Sequence, residues 1–157
     1  MLRNLLSKLW QHAPPKLRRW TVRATNTTFT VTAAGIIFNP QGKVLLLKHR
    51  FRPGSGWGIP GGFLELGEQP DDALRREMRE EVDLELNHLQ VFTVRTFKKQ
   101  KQIEVVFVAT ASGSTEPHST EVECAEWFSG NSLPDGLPSD QKKLIYSVLA
   151  DGAKGHV

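Results

Sequence analysis

Glu77, Glu80 and Glu81 stand at i, i+3 and i+4. On a helix of 3.6 residues per turn they share one face, spread over about 100° of its circumference. Leu74, Met78 and Val82, at i, i+4 and i+8, form an adjacent apolar stripe, which should face a core. Stacked carboxylates repel one another. A hard divalent cation bound through oxygen is the compensation they suit best, so Mg²⁺ or Mn²⁺ is the expected cofactor. The competing explanation is a solvated acidic helix whose glutamates pair with Arg75, Arg76 and Arg79. Spacing alone does not separate the two.

The wider string does. Gly62, Glu68, Arg76, Glu77, Met78, Glu80, Glu81 and Leu84 fall at the spacing of G-x5-E-x7-R-E-U-x-E-E-x-G-U, with U aliphatic, and so resemble the signature of the Nudix hydrolases. The preceding Pro60-Gly61 and the order of strands around it are similar to that family too, which extends the resemblance over residues 28–150. One position departs. Asp83 stands where the signature has glycine, at a helix end that asks for a left-handed residue, and Asp is among the few others that tolerate it.

The resemblance implies an α/β fold, a Nudix-type α/β/α sandwich with a mixed central sheet. It also implies an enzyme acting on acid anhydrides, a metal-dependent pyrophosphohydrolase that splits the diphosphate joining a nucleoside to another group. Cations are needed there because a diphosphate repels an incoming anionic nucleophile. By resemblance, Glu77 and Glu81 are the first metal ligands, Glu80 is a third ligand or the general base, and the Gly61 carbonyl is a further oxygen. Arg76 and Glu68, beside Gly62, would hold the glutamates in place. A further acid is expected from the loop before the last central strand. Glu121 is the candidate as ligand and catalytic group, with Glu116 and Glu123 as rivals. The marks that distinguish substrates within the family are mostly missing. Elimination leaves a nucleotide sugar or ADP-ribose type of substrate. A nucleoside triphosphate pyrophosphatase and an RNA 5′-pyrophosphohydrolase are the alternatives, and a non-catalytic nucleotide-sensing module is one of another class. Intact carboxylates weigh against the sensor.

Substrate phosphates also need cations from the protein. Lys48, His49, Arg50 and Arg52 precede a glycine-rich stretch; alternation would turn half of them away, and Arg50 and Arg52 are the expected binders. Trp57 either stacks on a base or packs under the loop. Cys124 reads as a small core residue rather than a nucleophile. His12, His88, His118 and His156 have no ligand-like spacing.

The elements that must position these groups follow from periodicity. Strands are expected at Thr28–Phe38 and Lys43–His49, joined by the turn Asn39-Pro40-Gln41-Gly42. Residues 50–62, with five glycines and two prolines, read as a functional loop. Pro70 opens the carboxylate helix, with Asp71 and Asp72 in its first turn, and the helix runs to about Val82. Further strands are expected at Leu86–Phe97, Gln102–Ser112 and Glu123–Ser129. A closing helix Asp140–Ala150, capped by Ser139, turns Leu144, Ile145, Val148 and Leu149 inward.

The chain has 157 residues, 39% hydrophobic and 24% charged, which suits one soluble domain rather than a disordered chain. Its one cysteine excludes an internal disulfide framework and a cysteine-based zinc cluster. The net charge of +3 hides an asymmetry. Residues 1–25 carry six bases and no acid, leaving 14 bases against 17 acids in the remainder. Leu2, Leu5, Leu6 and Leu9 share a helical face, and a second helical piece is expected at Leu17–Ala24 after Pro14-Pro15. The expected organisation is a basic helical arm (1–25), a hydrolase domain (26–151) and a tail (152–157). The expected partner is a small molecule carrying a nucleotide diphosphate. The arm could support a homodimer; nucleic acid is disfavoured, and no transmembrane segment is expected. Without a signal-peptide pattern, the expected compartment is the cytoplasm.

Overall fold

The computed structural model of the chain describes Trp10 and residues 12–113 and 115–152. The expected Leu2–Leu9 helix and the tail from residue 153 lie outside the described residues. Chain contacts divide the molecule into two units, Met1–Thr30 and Val31–Val157.

In the first unit, helix α1 spans Pro15–Thr25, with Pro15 at its first position, where a missing N–H costs nothing. In the second, Val, Ile and Leu runs form a seven-stranded sheet. Its strands are β1 (Thr30–Phe38), β2 (Val44–His49), β3 (Trp57–Gly58), β4 (Gly61–Phe63), β5 (Asn87–Phe97), β6 (Gln102–Thr110) and β7 (Val122–Phe128). The main path is β3-β2-β1-β6-β5, with β4 on β1 and β7 on β2. The pairs β1–β2, β1–β4, β2–β3, β2–β7 and β5–β6 are antiparallel. Between β1 and β6, Thr32 meets Ile103 and Phe38 meets Ala111. The two strands therefore run the same way, and the sheet is mixed.

Side-chain alternation splits the core in two. Ala33, Ile37, Leu45 and Leu47 pack with Ala73, Leu74, Met78 and Val82 of helix α2 (Pro70–Val82). Ala34, Ile36, Val44 and Leu46 pack with Ile145 and Val148 of helix α3 (Ser139–Gly152). Each face of the sheet is thus covered by a helix, as the α/β/α expectation required. Helix α3 begins at Ser139 itself, one residue earlier than expected. Residues 50–62 are also not wholly loop. Trp57–Gly58 and Gly61–Phe63 pair with β2 and β1, and segments this short carry no periodicity of their own.

Candidate active site

Helix α2 places the carboxylates. Its stripe Leu74, Met78 and Val82 is at most 1% exposed. Measured around the helix from Met78, Glu81 lies about 60° away, Glu77 about 100° and Glu80 about 160°. Burial follows that order, with the side chains of Glu81, Glu77 and Glu80 at 9%, 17% and 60% exposure. The three glutamates share a face, but they do not share an environment. The helix stops at Asp83, which adopts the left-handed conformation (φ 53°, ψ 39°), its N–H donating to the Arg79 carbonyl. The Leu84 N–H donates to the Met78 carbonyl. Asp83 thus performs the turn that the signature gives to glycine.

Arg76 is the hub. Its Nε and Nη2 donate to the two oxygens of Glu68 at 2.9 and 3.1 Å. Nη2 also reaches the Phe63 carbonyl at 3.0 Å, while Nη1 reaches Glu77 at 3.0 Å and Glu80 at 3.3 Å. Glu68 accepts the Glu65 N–H at 2.8 Å as well. The Arg76 hydrogen bonds hold the Glu68 carboxyl below the usual carboxylate range. One planar fork therefore fixes the loop before α2, the end of β4 and two of the glutamates. On the opposite side Glu77 lies against Gly62, where any side chain would collide with its carboxylate.

His49, Phe51, Arg52, Gly61, Gly62, Phe63, Glu77, Glu81 and Glu121 line a cleft of about 500 Å³. Two backbone bonds assemble its far wall. The Arg50 N–H donates to the Glu121 carbonyl at 2.9 Å, and the His118 N–H donates to the Glu81 carbonyl at 2.8 Å. Burial, and then the charge of Glu77, push the Glu81 carboxyl up to about 8. Burial likewise raises Glu77, against the pull of Arg76. His49 is lowered to about 4 by burial and by Arg52. Although His49 Nδ1 and Glu81 Oε1 are 3.8 Å apart, they meet near neutral pH as an imidazole and a carboxylic acid rather than as an ion pair.

Three buried side-chain atoms among the described residues lack a hydrogen-bond partner: His49 Nε2, Arg52 Nη1 and Glu81 Oε2. All three belong to this cleft. Orphaned buried polar atoms cost free energy, so three residues that carry them along one cleft mark a place built for something polar. The donor chemistry suits a hard cation, since Glu77, Glu80, Glu81 and Glu121 offer only oxygen. Among the described residues no three His, Cys, Asp or Glu side chains stand gathered around one point. Glu77 and Glu80 are held by Arg76 and would have to turn from it to take an ion.

A smaller recess of about 180 Å³ adjoins the cleft across Arg52, Gly61 and Gly62, and Thr32, Gln102, Glu104 and Gln141 line it. Its polar groups are held in place. Gln102 donates to the Thr32 hydroxyl at 2.8 Å, Gln141 accepts the Ile59 N–H at 2.9 Å, and Glu104 accepts from Arg95 at 2.7 Å. The Arg52 guanidinium lies over Gly58, where a side chain would displace it.

Of the expected substrate binders, Arg52 faces the cleft and Arg50 does not. The strand ends at His49, so the alternation that paired them ends too, and Arg50 is exposed in the turn. Trp57 packs edge-on against Phe128, centroids 5.1 Å apart, in the core beside α3. Of the two expected roles, this contact is the packing one. Among the acids, Glu121 reaches the cleft; Glu123 pairs with Lys48 at 2.9 Å, and Glu116 is exposed outside the cleft lining. Cys124 is half-buried at the sheet rather than in the core, and burial with the Glu126 contact pushes its thiol up to about 11. Sequence reasoning passed over Phe51 and Phe63, 78% and 61% exposed in the cleft wall, and the recess residues Gln102, Glu104 and Gln141. The i, i+2 spacing of Gln102 and Glu104 on one strand face was the available signal.

A family profile described as NUDIX domain matches residues 28–148. An ADP-ribose pyrophosphatase of Methanocaldococcus jannaschii is 32% identical over 124 residues, covering 76% of this chain and 72% of that protein. An NAD-capped RNA hydrolase NudC of Vibrio atlanticus is 29% identical over 118 residues, covering 73% of this chain; the matched region spans only 44% of that relative's length. Among solved structures, a MutT NUDIX hydrolase from Burkholderia pseudomallei superposes with a TM-score of 0.68 at 25% identity, covering 78% of this chain and 99% of that one.

Proposed function

The chain belongs to the Nudix family, and on that premise we propose that it is a metal-dependent pyrophosphohydrolase acting on a nucleoside diphosphate linked to another group, of the ADP-ribose or nucleotide-sugar type. The observation that carries this reading is a carboxylate-lined cleft along which His49, Arg52 and Glu81 each hold a buried polar atom without a partner. The name of the M. jannaschii relative supports the choice of substrate type.

Glu77, Glu80 and Glu81, with Glu121 and the Gly61 carbonyl, are the residues that would hold Mg²⁺ or Mn²⁺, which supplies neutralisation of the diphosphate charge and acidification of water. Arg52, through the guanidinium that lines the cleft, donates to a phosphate oxygen in a charge-assisted bond. Glu80, the most exposed of the three glutamates, accepts the proton of the attacking water. Arg76, itself held by Glu68, orients Glu77 and Glu80 directly. The exposed rings of Phe51 and Phe63 offer a stacking surface for a base. The recess of Thr32, Gln102, Glu104 and Gln141 takes hydroxyl or amide groups of the nucleoside end.

The test is product release from a panel of ADP-ribose, nucleotide sugars, dinucleotides, nucleoside triphosphates and 5′-triphosphorylated RNA, with Mg²⁺, Mn²⁺ or chelator. The expected result is metal-dependent release of a nucleoside monophosphate from ADP-ribose or a nucleotide sugar. Cleavage confined to triphosphates would replace the substrate assignment with a house-cleaning one. Nucleotide binding with no cleavage anywhere in the panel would make the chain a sensor.

A further inference from the structure

The surface of helix α1, in the first unit, is organised. Residues 1–30 carry six Lys and Arg and no Asp or Glu. At 100° per residue, Trp20, Ala24, Leu17, Thr21 and Thr25 follow one another around about 140° of the α1 circumference. Leu17 is 50% exposed and Trp20 66%. The two threonines extend this face rather than interrupt it. The Thr21 hydroxyl donates to the Leu17 and Arg18 carbonyls at 3.0 and 2.9 Å, and that of Thr25 to the Thr21 carbonyl at 2.9 Å. Their donor capacity is satisfied inside the helix, so they enter a water-poor environment without leaving an orphan. Lys16 borders the face beside Trp20, and Arg18 borders it beside Thr25. Both are exposed, and both have stems long enough to lie along the apolar surface while the charge stays outside.

We propose that the apolar face of α1 seats on the headgroup region of an anionic lipid bilayer, with Trp20 and Leu17 inserted and the flanking Lys16 and Arg18 on the lipid phosphates. Charge complementarity selects this occupant. A helix of about 16 Å gains little from its apolar face alone, and stable attachment takes a second signal, which the acid-free cationic segment provides. A polyanion such as RNA would use the bases and the tryptophan ring, but it would leave Leu17, Ala24 and the internally bonded threonines without a role. Among the described residues no helix is long and apolar enough to cross a membrane, so the attachment is peripheral.

The test is co-sedimentation of the full chain with phosphatidylcholine vesicles, with and without phosphatidylglycerol. The expected result is binding only to the anionic vesicles, weakened by salt. Leu17→Ser with Trp20→Ser should lower the partition coefficient at least about tenfold. Lys16→Gln with Arg18→Gln should lower it about 25-fold, at roughly fivefold per base. Trp20→Phe and Lys16→Arg should retain binding, and an unchanged melting temperature in every variant keeps the comparison interpretable. No binding to anionic vesicles at low salt would overturn the proposal. So would binding that survives Leu17→Ser with Trp20→Ser, because the face would then not insert. Binding to unstructured single-stranded RNA without binding to vesicles would overturn it in favour of a nucleic-acid surface.

Discussion

Buried Glu81 makes the metal-free protein less stable as pH rises, and Glu81→Gln should remove that dependence. The Glu81 carboxyl is pushed from 4.5 up to about 8, so between those values the folded chain holds a proton that the unfolded chain has released. Stability is then fully present below 4.5 and is lost as pH climbs towards 8. Glu77, also raised, contributes with the same sign. His49 acts in the opposite sense. Lowered from 6.5 to about 4, it contributes stability above 6.5 that is lost as pH falls. The two effects oppose each other up to pH 6.5, and above it only the carboxylates act. At about 1.4 kcal/mol per pH unit, the Glu81 share of the loss between pH 6.5 and 8 is at most about 2 kcal/mol. Urea unfolding in chelator at a series of pH values measures it. Wild type should show the decline and Glu81→Gln a flatter profile, whatever constant offset the buried amide adds. Saturating Mg²⁺ should abolish the decline in wild type, because binding an ion favours the ionised carboxylate. Equal slopes for wild type and Glu81→Gln in chelator would refute the reasoning.

Arg76→Lys should lower turnover by about 10- to 100-fold, because an ammonium cannot bridge Glu68, Glu77, Glu80 and the Phe63 carbonyl together; steady-state kinetics on the best substrate checks it. Gly62→Ala should cost more than about tenfold in turnover by displacing the Glu77 carboxylate, and a Mg²⁺ titration should show the loss as weakened metal affinity. Glu121→Gln should reduce turnover at subsaturating metal, whereas Glu116→Gln and Glu123→Gln should leave it unchanged, since neither side chain lines the cleft.

Much of this site was legible before any coordinates because helical periodicity is local. The spacing of Glu77, Glu80 and Glu81 beside Leu74, Met78 and Val82 placed an acidic face next to a core stripe, though not the unequal burial of the three, and Asp83 was expected to tolerate the left-handed helix end. What spacing does not encode is pairing between distant segments. The strands Trp57–Gly58 and Gly61–Phe63 exist through their register with β2 and β1, so residues 50–62 read as loop. Arg50 and Arg52 looked equivalent because strand-like alternation was applied to residues beyond His49, where the expected strand already ended. The Arg95 bonds to Glu104 and Asp140, which prepare the recess, join three elements far apart in the chain and leave no local trace. Exposed Phe51 and Phe63 had no periodic partner to mark them, and burial of His49 against Glu81 depends on how β2 meets α2.

The most direct test of the account is hydrolysis of ADP-ribose or the best nucleotide sugar by wild type and by Glu81→Gln, each with Mg²⁺ and with chelator. The account predicts turnover only for wild type with metal, and a fall of several orders of magnitude, at about 1.4 kcal/mol per factor of ten, for Glu81→Gln. Turnover that persists in chelator, or a near-normal Glu81→Gln enzyme, would contradict the claim that the carboxylates of α2 form a metal-dependent hydrolytic centre.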